Sequence, residues 1–232
     1  MKVLDSAVPV ACWSCAVAHN ESTLFCPHCS KIQPPAGADY FSVLGLEPRL
    51  NLDLAVLERE FHRLSRQLHP DRFVRATDSE KGWSLADTAL LNDAYRTLKD
   101  PLRRTEYLLK LQGVEIRERS AEGDEKERRD PSRVPADLLE EVFDLNMQIE
   151  ELRAARGTGE NDPAVMESIS EAKKKFEGLV SDVDRDLRAQ WQAWESGDEA
   201  AQAAAQKAMV ALLDRRRYLS NLVRDIKQVL GE

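Results

Sequence analysis

What the chain lacks narrows what it can be. Only 10 of its 232 residues are glycine, 10 are proline, and aromatics make up 6%. That is thin material for the many tight turns of a β sandwich, and with 32% charged residues it favours long, well-solvated helices. No apolar run approaches the ~20 residues needed to cross a bilayer. The first dozen residues hold Lys2, Asp5 and Pro9, with neither a signal-peptide apolar stretch nor an Arg-rich transit pattern, so a soluble cytoplasmic protein is expected. Positive charge is not in excess either. The net charge of −8 argues against general binding to nucleic acid or to anionic membranes. The four histidines are scattered, no phosphate-cradling glycine loop occurs, and no nucleophile stands beside a base. An enzyme is therefore not expected.

What is present is unevenly placed. Residues 39–113 carry 12 Lys+Arg against 12 Asp+Glu, whereas residues 114–232 carry 19 against 27, which accounts for the whole net charge. The length suits one large or two small domains.

The four cysteines all fall early, as Cys12-x-x-Cys15 and Cys26-x-x-Cys29. Each two-residue gap lets a knuckle turn back so that both sulfurs face one point, and two knuckles can surround one Zn²⁺ tetrahedrally. So short a segment cannot bury a useful core, and metal binding would supply its folding energy. Disulfides would need an oxidising compartment that nothing in the sequence indicates. A dithiol pair at Cys26 and Cys29 would need a thioredoxin-like sheet. A structural zinc, one per chain, is expected at Cys12, Cys15, Cys26 and Cys29. His19 and His28 suit the surface or the outer surroundings of the metal better than its ligand set. A zinc-ribbon binding nucleic acid would need a basic surface, yet residues 1–38 hold Lys2 and Lys31 against Asp5 and Glu21. Residues 30–38, with Pro34-Pro35 and Gly37, read as a linker.

The stretch from Leu54 to Phe73 organises the next part. Leu54, Leu57, Phe61, Leu64 and Leu68 recur at three- and four-residue steps, one apolar helix face, while Arg59, His62, Arg63 and Arg66 fall off it. Asn51 or Asp53 can cap this helix. Pro70 ends it by lacking an amide hydrogen and pushing His69 out of the helical region. A further helix is expected from about Ser84, with Ala89, Leu90, Ala94, Tyr95 and Leu98 on its apolar face. Asp100-Pro101 reads as a cap plus first-turn proline that starts another, with Leu102, Tyr107, Leu108 and Leu111 in the core.

His69-Pro70-Asp71 after a basic amphipathic helix resembles the signature of J-domain co-chaperones. Asp39-Tyr40-Phe41-Ser42-Val43-Leu44-Gly45-Leu46 looks like their first helix and Leu91-Asn92-Asp93-Ala94-Tyr95-Arg96-Thr97-Leu98 like their third. The continuation from Lys99 to Leu109 is similar to the HscB (Hsc20) family, the J-type co-chaperones of iron–sulfur cluster assembly. The resemblance implies that His69, Pro70 and Asp71, with Arg59, Arg63, Arg66 and Arg72, dock on a heat-shock ATPase chaperone of the HscA or DnaK class and stimulate its ATP hydrolysis. Asp71 would offer a carboxylate to a partner arginine, and the arginines would steer an acidic surface.

The run 117–133, charged at 12 of 17 positions, reads as a solvated linker. Amphipathic segments follow at about 135–155, 163–195 and 199–230, which with short connections predict an antiparallel three-helix bundle. Val165, Ile169, Ala172, Phe176, Leu179, Val183 and Leu187 repeat along the second segment; Met209, Leu212, Leu219, Leu222, Ile226 and Val229 along the third. Trp191 and Trp194 would close the end of that core. The predicted fold is thus all-α: a zinc knuckle (1–38), a J domain (39–113), a linker (114–134) and a bundle (135–232). The HscB resemblance implies that the bundle holds an IscU-type iron–sulfur scaffold through Leu139, Glu140, Phe143, Asp144, Met147 and Tyr218. Leu139, Phe143 and Met147 form one stripe, while Leu138, Val142 and Leu145 offer a second apolar face for burial. Glu140 and Met147 depart from the family pattern, which more often has an apolar and an acidic residue there. A general J-type co-chaperone for other clients is the alternative. No nucleic-acid or membrane partner is expected, and the sequence leaves monomer and dimer equally open.

Overall fold

The computed structural model describes residues 9–20, 23–35, 37–116, 134–157 and 163–232. The charged run 117–133 and the connection 158–162 lie outside the described residues. The chain divides into two compact units, Met1–Val114 and Glu115–Glu232. The described residues are mainly helical, with a single two-stranded sheet among them.

In the first unit, β1 (Pro9–Ala11) pairs antiparallel with β2 (Ala18–Asn20), Val10 opposite His19. The cysteine segment continues further than its prolines suggest. Phe25 and Ile32 form a β-bridge, and Ile32 and Gln33 are buried, so the expected linker begins as part of the module.

Helix α1 (Tyr40–Leu44) is capped by the Asp39 carboxylate, which accepts from the Phe41 and Ser42 amides, and stops at Gly45 with φ +66°. Helix α2 (Leu54–Leu68) takes Asp53 rather than Asn51 as its cap. Leu57, Leu64 and Leu68 are buried, but Leu54 is half exposed: at the first helical position it stands outside the packed turn. A 3₁₀ turn, Pro70–Phe73, follows.

Helix α3 (Asp78–Lys99) begins about six residues before the start near Ser84 that the sequence pattern suggests. Thr77 caps it in a reciprocal box with Glu80. Its early buried positions are Glu80, Ser84 and Asp87, polar residues that leave no apolar periodicity to read. Asp100 caps helix α4 (Pro101–Leu111), with Pro101 in its first turn. Leu108 is buried there, with Leu102, Tyr107 and Leu111 only partly covered. Arg104, also buried, reaches Leu50 O (2.9 Å) and Leu98 O, tying α4 to the loop before α2 and to the end of α3.

The second unit has a 3₁₀ turn at Ala136–Leu138, then α5 (Leu139–Gly157), α6 (Pro163–Ser196) and α7 (Glu199–Leu230). At ~1.5 Å per residue, α6 and α7 are much longer than α5. Leu138, Val142, Leu145, Ile149 and Leu152 join Ile169, Phe176 and Val183 of α6 and Leu219, Val223, Ile226 and Val229 of α7 in one core. Nearer the α6–α7 connection Leu187, Trp191, Ala205, Met209 and Leu213 are buried. Gly197 makes that connection possible: a Cβ there would stand 2.5 Å from Ala193 O and 2.6 Å from Ala201 Cβ. Among the described residues no helix is long and apolar enough to cross a membrane.

Candidate functional site

The two cysteine knuckles share one local design. Cys12 N donates to Val17 O (3.0 Å) and Cys26 N to Lys31 O (2.8 Å), while Ala16 N and Ser30 N return to Cys12 O and Cys26 O. Ala16 and Ser30 each follow the second cysteine of a pair, and both adopt φ +59°. The first cysteine of each pair is buried and the second half exposed. The sulfurs meet across the knuckles, Cys12 with Cys29 at 3.6 Å and Cys15 with Cys26 at 3.8 Å, and all four ligand atoms lie within 4.8 Å of one another. An ion bound tetrahedrally at ~2.3 Å sets neighbouring sulfurs ~3.8 Å apart. The donor set and its spacing therefore fit a metal ion. Burial opposes ionisation of Cys12, but the amides of Cys15 and Ser14 and the neighbouring thiols outweigh it and bring the thiol down to about 6. A Val17 amide favours the Cys15 thiolate, yet burial and the surrounding sulfurs push that thiol up to about 12. Thiols this crowded need a cation before all can ionise.

The module is fastened within the first unit. Trp13 Nε1 donates to Ile32 O (2.7 Å), and its ring meets Trp83 of α3 edge-on at 5.6 Å. Lys31 reaches Glu80 in the α3 cap.

At the break after α2, His69 leaves the helix with φ −55° and ψ 130°. Its Nδ1 accepts from Asp71 N at 3.3 Å. Asp71 Oδ2 lies 3.5 Å from that same nitrogen, and the Asp71 side chain is 87% exposed. Ser84 Oγ donates to Leu68 O (2.7 Å), anchoring the last turn of α2 directly before His69. The sequence pattern contains no sign of this anchor, since an isolated serine carries no periodic signal. Arg59, Arg63, Arg66 and Arg72 are all exposed. Arg63 bonds Glu60 (2.8 Å) and Gln67, and Arg59 lies 3.7 Å from Glu60, so part of the basic face is offset by its own helix.

Along α5 and the 3₁₀ turn that leads into it, the two apolar faces separate cleanly. Leu138, Val142 and Leu145 are buried, while Leu139, Phe143 and Met147 are 49%, 64% and 56% exposed. Glu140 and Asp144 are exposed on the same side. Tyr218 on α7 is half-buried against the bundle core, and that burial raises its phenol above the usual range. Nearby in sequence, Arg215 grips Asp137 bidentately at 2.8 and 2.7 Å.

A capped first helix, an α2–α3 pair broken by exposed His-Pro-Asp, and α4 behind it define a J-domain protein; the DnaJ domain profile matches residues 39–107. The similarity extends well beyond that domain. The chain is 33% identical over 222 residues to the human iron-sulfur cluster co-chaperone protein HscB, covering 93% of this chain and 80% of that one. To the mouse protein of the same name it is 30% identical over 220 residues, covering 93% and 81%. The crystal structure of human co-chaperone protein HscB superposes with a TM-score of 0.66 at 28% identity, covering 94% of this chain and 98% of that one. The chain belongs to the HscB family of iron–sulfur cluster co-chaperones. It is accordingly a partner of a chaperone rather than an enzyme in its own right.

Proposed function

We propose that this co-chaperone delivers an IscU-type iron–sulfur scaffold to a heat-shock chaperone of the HscA or DnaK class and triggers that chaperone's ATP hydrolysis. His69, Pro70 and Asp71 form the trigger. Pro70 limits the ordering entropy lost on docking, and the solvated Asp71 carboxylate is available for a charge-assisted bond to a partner arginine. Arg66 and Arg72, with the partly offset Arg59 and Arg63, steer the encounter.

Leu139, Glu140, Phe143, Asp144 and Met147 on α5, with Tyr218 on α7, hold the scaffold. The observation that carries this reading is the exposure of Leu139, Phe143 and Met147 as a continuous helical stripe. Their neighbours already complete the core, so the stripe is surplus to folding. The human and mouse relatives are named iron-sulfur cluster co-chaperone proteins, which supports the same assignment. The four cysteines hold one structural Zn²⁺, and the protein works in the cytoplasm.

Calorimetric titration with an IscU-type scaffold tests the reading. Phe143→Ala is expected to weaken binding at least tenfold without altering the fold. Equal binding by wild type and by a Leu139/Phe143/Met147 triple alanine variant would remove the stripe from the contact, and no binding by wild type would leave a J-domain co-chaperone with a different client.

A further inference from the structure

The cysteine module contains a buried polar relay that ends on one sulfur. Gln33 is only 3% exposed, and its Nε2 lies 3.4 Å from Cys12 Sγ, 2.8 Å from Lys31 O and 3.2 Å from Ile32 O. Two backbone carbonyls beside that atom fix which end of the amide is the NH₂ group, because carbonyl oxygens only accept. The amide oxygen must then face the other way, where His19 Nε2 stands at 3.0 Å. His19 is itself 7% exposed and meets Thr23 Oγ1 through Nδ1 at 2.9 Å. The proton assignment follows from the network. The amide oxygen can only accept, so His19 carries hydrogen on Nε2 and donates to Gln33 Oε1, while Thr23 Oγ1 pairs with Nδ1. Gln33 Nε2 carries two hydrogens for three acceptors, so one N–H is shared between Cys12 Sγ and a flanking carbonyl. Cys12 Sγ also receives the Ser14 amide at 3.4 Å.

We propose that Thr23, His19 and Gln33 act as positioning residues for the metal centre, aiming a side-chain N–H at the Cys12 thiolate so that its charge is partly neutralised when a metal is bound. This deepens, and rests on, the reading of the four cysteines as one metal site. A hydrogen bond to a thiolate drains density from sulfur and lowers the net negative charge of a four-sulfur centre. Groups in this outer position ordinarily change metal affinity by roughly 10–100-fold. His19 thus serves the site without being a ligand. Burying a glutamine and a histidine together is costly unless each polar atom is engaged, and here the cost is met by bonds that converge on the cluster.

The test uses the full chain and two probes, Zn²⁺ in competition with a chromophoric chelator and Co²⁺ for its sulfur-to-metal charge-transfer bands. Gln33→Leu is expected to weaken Zn²⁺ binding at least tenfold and to move the Co²⁺ charge-transfer bands to longer wavelength, since an unbonded thiolate gives up charge more readily. His19→Leu should shift the bands in the same direction, and His19→Gln, which retains a donor toward Gln33, should restore them. This pair keeps the test decisive if Gln33→Leu fails to fold. Bands unmoved in both Gln33→Leu and His19→Leu, whatever happens to affinity, would overturn the relay. A wild-type chain that yields no thiolate-to-Co²⁺ bands would overturn the metal site itself, a result distinct from the first.

Discussion

Lys31 Nζ lies 2.9 Å from Glu80 Oε1, linking the second knuckle of the cysteine module to the capping box of α3. Glu80 accepts at the same time from Thr77 N (3.0 Å) and Thr77 Oγ1 (2.9 Å) and is almost fully buried. One carboxylate thus starts a helix and secures the module next to it. The Thr77 amide first, then Lys31, hold Glu80 below the usual carboxylate range. Stability from this group is therefore complete above the ordinary glutamate pKa and lost as pH falls through the lower, folded value. Glu80→Ala should cost roughly 1–2 kcal/mol at neutral pH, read by urea denaturation, and the difference from wild type should shrink in acid.

Asp87 behaves in the opposite sense. It is completely buried, and among the described residues neither carboxylate oxygen has a hydrogen-bond partner. Burial pushes its carboxyl up to about 7. The folded protein then keeps a proton that the unfolded chain has released above pH ~4, so stability falls as pH rises through that interval to about 7 and levels off beyond. Asp87→Asn should match wild type near pH 4 and exceed it by roughly 1–3 kcal/mol at pH 8. Equal pH profiles for the two proteins would contradict this account of Asp87.

The two faces of α5 give a paired prediction. Leu145→Ala removes a buried core side chain and should cost roughly 2–5 kcal/mol. Phe143→Ala, two residues away but exposed, should change stability by no more than ~0.5 kcal/mol. Thermal unfolding of the two variants distinguishes a core stripe from a surface one.

How legible all this was in the sequence depends on whether a residue acts through pattern or through a single contact. The His69-Pro70-Asp71 break, the Asp53 and Asp100 caps and the apolar repeats of α6 and α7 are pattern, and the folded elements follow them closely. A stripe such as Leu139, Phe143 and Met147 at four-residue spacing fits core or surface, and the second apolar face of Leu138, Val142 and Leu145 separates the two in the sequence, as their burial does in the fold. The first turns of α3 were missed because they bury Glu80, Ser84 and Asp87. Gln33 was hidden in a segment whose prolines suggest a tether. Buried polar groups answer to specific partners distant in sequence, and periodicity carries no trace of them.

The knuckle turns carry a correctable strain. Ala16 and Ser30 both adopt φ +59°, a region costing a non-glycine residue roughly 1–2 kcal/mol. Ala16→Gly and Ser30→Gly should each tighten metal retention severalfold by relieving that cost. Chelator challenge of the loaded protein checks it, with faster loss from either variant as the contrary result.

The connection at Gly197 leaves no room for a side chain, since a Cβ would fall within 2.6 Å of Ala201 Cβ. Gly197→Ala should lower the stability of the second unit by roughly 1–3 kcal/mol, visible as an earlier urea transition.

The central claim, that one chain couples a scaffold to a chaperone's ATPase, is tested most directly by single-turnover ATP hydrolysis. An HscA- or DnaK-type chaperone would be assayed alone, with the wild-type protein, with an IscU-type scaffold, and with both, and then again with Asp71→Ala. The account predicts stimulation by wild type that the scaffold amplifies beyond the sum of the separate effects, and its loss in Asp71→Ala. Stimulation by Asp71→Ala equal to that of wild type, or no stimulation by either, would contradict it.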